Sequence, residues 1–112
     1  MKIPNSENAI VQIEKIRDYC LNEEHPRGKH KARVFKARLG LERKHADMVK
    51  TIILDLIKKN EAKKTSKDEF GVRYCSDLEI KINNKRAVIR TFWIIRTEET
   101  FPRFTSCYIK RK

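Results

Sequence analysis

The apolar residues of this chain change their period once, near residue 70, and that change limits the possible folds more than any other feature. Before it they recur at helical spacing; after it they alternate with polar residues, as in half-buried strands. Ala9, Ile10, Ile13, Ile16 and Cys20 lie on one face of a helix expected over Ser6 to Leu21, with Ser6 as its N-cap. Pro26 and Gly28 break the chain into a loop over Asn22 to Gly28. A second helix is expected from about Lys29 to Leu39, where Gly40 supplies a C-terminal stop. A third, from Glu42 to Asn60, carries a broad apolar stripe of Met48, Val49, Ile52, Ile53, Leu56 and Ile57 and is expected to be the spine of the core.

Beyond the polar run Glu61 to Glu69, Val72, Tyr74, Leu78, Ile80 and Ile82 alternate with Arg73, Cys75, Asp77, Glu79 and Lys81, and Asn83-Asn84 has the chemistry of a hairpin turn. The next strand is apolar on both faces, with Ala87, Ile89, Thr91, Trp93 and Ile95 on one and Val88, Phe92 and Ile94 on the other, which suits a central position. Thr97 to Pro102 makes a turn. Arg103 to Lys110 forms a last strand, with Phe104, Ser106 and Tyr108 opposite Thr105, Cys107 and Ile109. The expected class is α+β, with N-terminal helices packed on a small C-terminal antiparallel meander of three or four strands. At 112 residues the expectation is one domain over residues 1–112, helical over about 6–60 and sheet over about 70–110.

Charge narrows the function. Lys and Arg number 27 against 15 Asp and Glu, a formal charge of +12, which attracts phosphate backbones and other polyanions. About half of that excess lies between His25 and Leu39, where Arg27, Lys29, Lys31, Arg33, Lys36 and Arg38 occur without one acidic residue. If Ala32, Phe35 and Leu39 face the core, a 100° step brings Lys29, Arg33 and Lys36 together on the solvent side, where phosphate contact would release counterions. The alternative for such a run is a merely solvated helix face.

Cys20, Cys75 and Cys107 are odd in number and widely spaced, with no CxxC pair and no apolar leader before them, so reduced thiols and a cytoplasmic location are expected. The longest apolar stretch, Ile52 to Ile57, is interrupted by Asp55 and is too short to span a bilayer; no membrane association is expected. No ligand pair has the short spacing of structural zinc sites, and neither a metal nor another cofactor is expected.

Among His25, His30 and His45, His30 lies inside the basic run and is the general-base candidate, set against the plainer reading of an exposed surface histidine. Arg90-Thr-Phe-Trp93 and Arg103-Phe-Thr-Ser-Cys-Tyr108 bring guanidinium, hydroxyl and aromatic groups to adjacent strands. Aromatics beside cations stack bases, although Trp93 on a central strand is more simply a core residue. Tyr108, Thr91 and Thr105 offer hydroxyls of a kind that any strand favours.

One set of residues carries a family resemblance. His25-Pro26-x-Gly28-x-x-Lys31-Ala32-x-x-Phe35 with Leu39-Gly40, Gly71-x-x-Tyr74, Thr91-x-Trp93-Ile94 and Pro102-Arg103-Phe104-x-(Thr/Ser)-x-Tyr108 resembles a family of small uncharacterised bacterial domains, over about Ile3 to Ile109. More distantly, the order of helices and strands is similar to ribonuclease toxins of the barnase, EndoU, colicin and RelE type. That resemblance implies metal-independent attack of a ribose 2′-hydroxyl on the adjacent phosphate. It assigns His30, Lys31 and Tyr108 to catalysis, with Lys31, Arg33 and Arg90 as phosphate clamps. Arg27, Lys29, Lys36 and Arg103 complete the expected nucleic-acid surface.

The leading expectation is therefore a ribonuclease toxin-like domain acting on RNA. Its alternatives are a non-catalytic binder of RNA or DNA, and an interaction module for an acidic protein partner such as an antitoxin. An enzyme would converge His30, Lys31 and a strand residue in one cleft, whereas a binder would spread Lys29, Arg33, Lys36 and Arg90 along an open stripe. Sheet edges also make a homodimer conceivable.

Overall fold

A computed structural model describes residues 1–111. Three helices precede a four-stranded sheet. Helix α1 covers Ile13–Lys15 and continues as a wider π-helical turn through Ile16–Cys20; α2 covers Lys29–Leu39 and α3 Ala46–Ile57. Strands β1 (Lys63–Asp68), β2 (Gly71–Ile82), β3 (Lys85–Arg96) and β4 (Arg103–Ile109) form an antiparallel meander in the order β1-β2-β3-β4. The fold is α+β, with four strands. Among the described residues no helix is long and apolar enough to cross a membrane.

The core lies between the helices and one face of the sheet. Ile16 and Cys20 from α1, Phe35 and Leu39 from α2, and Val49, Ile53 and Ile57 from α3 meet Leu78, Ile89, Trp93 and Phe104 in one apolar cluster. Phe35 is fully buried, and truncating a side chain of this size to Ala removes about 3 to 5 kcal/mol. Trp93 belongs to this core. Its ring meets Phe104 edge-on at 5.5 Å, its indole N–H donates to Thr91 Oγ1 at 2.8 Å, and the Thr91 hydroxyl donates to the Ser76 carbonyl at 2.8 Å. The Thr91-x-Trp93 motif is thus a satisfied polar relay inside the core, and Thr91 offers no hydroxyl to a ligand.

Helix α2 has the expected bounds and stop. Gly40 takes a left-handed φ of 69°, its N–H reaches the Lys36 carbonyl at 2.9 Å, and the Leu41 N–H reaches Phe35 at 3.3 Å. This left-handed glycine cap satisfies carbonyls the helix would otherwise leave free.

Four expectations are corrected. Ser6 does not cap a long helix: Ser6–Asn8 is a short 3-10 turn, and the chain then runs extended beside β4. Ile10 donates its N–H to Pro102 and accepts from Phe104, both at 2.9 Å, so backbone pairing with the sheet outcompetes local helix there. Helix α3 starts at Ala46 after a 3-10 turn over Arg43–His45, where the Glu42 N–H donates to His45 Nδ1 at 2.9 Å; Met48 falls outside the buried stripe. The polar run after α3 contains β1, all six residues of which are exposed. Finally, β4 carries a bulge. Phe92 pairs with Ser106 and Trp93 with Phe104, leaving Thr105 as the extra residue. One inserted residue reverses the alternation, so Phe104 joins Cys107 and Ile109 in the core instead of sharing a face with Ser106 and Tyr108.

A carboxylate ties α1 to the turn before α3. Asp18 accepts from Arg17 at 2.9 Å and from Arg43 at 2.6 Å, and these hydrogen bonds, Arg17 first, lower its pKa to about 2. Because the folded value is depressed, the stabilisation is complete above the unfolded value of about 3.9 and is lost as pH falls through the folded one. In denaturant titrations, Asp18→Asn is expected to lower the unfolding midpoint at neutral pH, with the difference from the wild type closing between about pH 4 and pH 2. A difference that persists unchanged below the folded value would show that the pair is not what Asp18 contributes.

Candidate functional site

The residues that carry the motif before α2 first of all build a joint. His25 Nδ1 accepts two backbone N–H groups, those of Arg27 and Gly28, each at 3.0 Å, and its ring sits edge-on against Tyr19 at 4.8 Å. Gly28 is packed onto the end of the π-helical turn, where a Cβ would stand 2.5 Å from the Tyr19 carbonyl oxygen. No residue with a side chain fits at that distance. The His-Pro-x-Gly segment therefore fixes where α2 begins relative to Tyr19.

One turn further on, Lys31 projects into the same place. Its ammonium donates to Tyr19 Oη at 3.4 Å and lies 5.1 Å from the Tyr19 ring centroid and 5.8 Å from that of Tyr108. Such a cation is held by ring quadrupoles. Among the described residues Lys31 enters no ion pair within 4.0 Å. Beside it an open depression of about 340 Å³ is lined by Lys15, Tyr19, Thr105 and Ser106. The Ser106 hydroxyl is buried and has no hydrogen-bond partner, an expense of about 1 to 3 kcal/mol for a polar group of this kind. The Lys15 and Lys31 ammonium groups and the Tyr19 phenol thus gather beside Thr105, with the Ser106 hydroxyl buried below them, and no carboxylate lines the wall.

Directly beneath lie two thiols. Cys20 follows Tyr19, Cys107 stands between Ser106 and Tyr108, and their sulfurs are 3.7 Å apart, both fully buried and unbonded. The Cys107 thiol donates to Cys20, which brings Cys20 down to about 7, while the same interaction and burial push Cys107 up. Cys75 is half-buried on the sheet and its thiol is pushed up by burial.

The structure sorts the expected site residues into three groups. Lys31 and Tyr108 come together. His30 is exposed, on a different side of α2 from Lys31, and no contact joins it to either among the described residues. Arg27 and Arg33 are exposed and Lys29 half-exposed, while Lys36 lies 3.8 Å from Glu23 and 3.7 Å from Glu42. Arg90 and Arg103 are occupied. Arg90 makes a two-toothed pair with Asp77 at 2.8 and 3.0 Å, and Asp77, with Tyr108 behind it, holds the guanidinium pKa above its ordinary value. Arg103 is gripped by Glu99 at 2.9 Å through both nitrogens, which raises it as well. A guanidinium already saturated by a carboxylate has little left for a phosphate.

Sequence reasoning missed Lys15, Tyr19 and Ser106. The first two sit four apart at the end of α1, a spacing that places them on one face, and that was the available signal. Ser106 had none, because the bulge at Thr105 is invisible in the alternation. Among the described residues no three His, Cys, Asp or Glu side chains form a group able to hold a metal ion.

Helices laid over one face of a four-stranded antiparallel meander, with a cationic and hydroxyl-lined hollow where α1, α2 and β4 meet, define a small basic α+β domain. The chain belongs to the family described as Domain of unknown function (DUF6883), whose model matches residues 2–111. No curated protein and no solved structure matches it.

The joint is testable by itself. Gly28→Ala is expected to lose about 1 to 3 kcal/mol of unfolding free energy in chemical denaturation, because α2 must back away from the Tyr19 carbonyl. Retention of full stability would mean that the approach is looser than 2.5 Å.

Proposed function

We propose that this protein cleaves RNA without a metal ion, using the hollow around Lys31 and Tyr108. The observation that carries the reading is the Lys31 ammonium, held between two tyrosine rings with no ion-pair partner among the described residues, next to the depression that Lys15, Tyr19 and Thr105 line. Cations fixed before the reaction stabilise the charge that builds on phosphoryl oxygens. In the proposed step the ribose 2′-oxygen attacks phosphorus and the bond to the 5′-oxygen breaks, leaving a cyclic phosphate and a 5′-hydroxyl. One proton leaves the attacking hydroxyl to a base and one reaches the departing oxygen from an acid, so protons balance. Lys31 and Lys15 hold the non-bridging oxygens, Thr105 orients the phosphate, and the phenols of Tyr19, 3.4 Å from the Lys31 ammonium, and of Tyr108 are the two proton-transfer groups. His30, on the outer surface, is left out of this chemistry.

Binding without cleavage is a second reading with its own support. Arg27, Lys29 and Arg33 stand on the outer side of α2 beside His30, outside every ion pair among the described residues, as a stripe that tracks a backbone would. In that reading the substrate class is single-stranded or structured RNA or DNA. An acidic protein partner, such as an antitoxin, would cover the same cations.

Labelled RNA and matched single- and double-stranded DNA incubated in excess EDTA distinguish these outcomes. RNA cleavage is expected, with DNA retained but uncut. Lys31→Ala is expected to reduce the rate on the order of 10²- to 10³-fold and Tyr108→Phe by a comparable factor, while His30→Ala stays near wild type. Salt-sensitive retention with no cut product in any sample would replace the enzyme by the binder. Absence of both would leave the acidic partner.

A further inference from the structure

The hollow at Lys31 is not the only concave basic surface on this side of α2. At the far end of the helix a second depression, of about 380 Å³, is lined by Arg38, Glu79, Arg86, Ala87, Val88, Lys110 and Arg111. Four cations face one carboxylate there, and that carboxylate, Glu79, approaches Arg86 only to 4.0 Å. Lys110 shares Asp77 with Arg90 at 3.2 Å, and Lys85 adds a further ammonium close to Gly40. The C-terminus of α2 carries about half a negative charge, which these cations outweigh several times over. Ala87 and Val88 supply an apolar patch at the base of the charged rim.

The two depressions are in line. Lys31 and Arg38 are seven residues apart, two helical turns, so they project from the same side of α2 about 10 Å from each other. Tyr108 on β4 and Lys110 just past its end are two residues apart and repeat that step by about 7 Å in extended chain. Lys31 thus meets Tyr108 near the first depression, and Arg38 lines the second together with Lys110. Successive phosphates of a stacked strand advance about 3.4 Å each, so the second depression lies about two to three phosphates from the first.

The geometry points to a second phosphate-binding subsite at Arg38, Arg86, Lys110 and Arg111, which takes the backbone of the same RNA strand about two to three nucleotides from the Lys31 hollow. This rests on the reading of that hollow as an RNA site and adds a direction and a minimum length to it. A dinucleotide fills only the first hollow. A strand of four or more nucleotides reaches both, with its backbone on the cations and a sugar or base face against Ala87 and Val88.

The test measures the affinity of a dinucleotide, a tetranucleotide and an octanucleotide of RNA for the whole chain across a salt series, in the wild type, Lys31→Ala and an Arg38→Gln, Arg86→Gln double variant, with Arg38→Lys as the charge-preserving control. For the double variant the ratio of octanucleotide to dinucleotide affinity is expected to fall about tenfold at low salt. Its log–log salt slope for the octanucleotide is expected to flatten by about 0.7 for each phosphate that the variant no longer neutralises. Arg38→Lys retains most of the length preference. Lys31→Ala weakens every length. A wild-type ratio and slope in the double variant would overturn the subsite while leaving the Lys31 site standing. Loss of dinucleotide and octanucleotide binding alike in the wild type would overturn both readings together.

Discussion

The packing of Gly28 onto the Tyr19 carbonyl is the contact on which the rest of the site depends. It brings the start of α2 within backbone distance of the end of α1, and His25 secures the approach by accepting the two N–H groups that the loop turns inward. From there the helical repeat decides everything. Ala32, Phe35 and Leu39 fall on the core side, Lys31 falls beside them at the boundary, and Arg38 repeats the position of Lys31 two turns later. A residue larger than glycine at position 28 would displace the whole row at once. The motif is therefore structural in most of its letters, and Lys31 is the letter whose charge enters no ion pair among the described residues.

Net charge by itself says little about where a polyanion would sit. Of the basic residues expected at the site, Arg90 and Arg103 are each held by a carboxylate through two hydrogen bonds. Those pairs are partly exposed, and their worth to stability is modest, but they consume the donor geometry that a phosphate needs. Lys31, Arg38 and the outward Arg27, Lys29 and Arg33 are different, since no carboxylate within ion-pair distance competes there among the described residues. Location, not number, separates a working cation from a decorative one.

How much of this was legible in the sequence depends on whether local pattern or backbone pairing decides the outcome. Helix α2 was readable to the residue because periodicity, a preceding breaker and a terminal glycine all agree. Strands β2 and β3 were readable because their alternation is long. The strand β1 was not, since an edge strand with all six side chains in solvent has no apolar face to betray it, and its lysines suit an edge that must not recruit a neighbour. Ala9 and Ile10 read as helix because their spacing fits one; only the presence of β4, nearly a hundred residues away, makes an extended segment the better partner. In the site, Lys31 and Tyr108 were named together from their types and motif positions, whereas Tyr19 and Lys15 had only a four-residue spacing to mark them.

The bulge at Thr105 shows how a single unpaired residue can build a site out of an ordinary strand. Without it, strict alternation would put Phe104, Ser106 and Tyr108 on one face, and satisfying the core with Phe104 would draw the Ser106 hydroxyl and the Tyr108 phenol inward with it. Phe104 is needed inside, because it meets Trp93 edge-on, and Cys107 and Ile109 are buried as well. The extra residue lets all three apolar side chains reach the core while Ser106 and Tyr108 stay at the boundary where Lys31 arrives. The cost is one buried hydroxyl, that of Ser106, left without a hydrogen-bond partner so that three apolar side chains can reach the core.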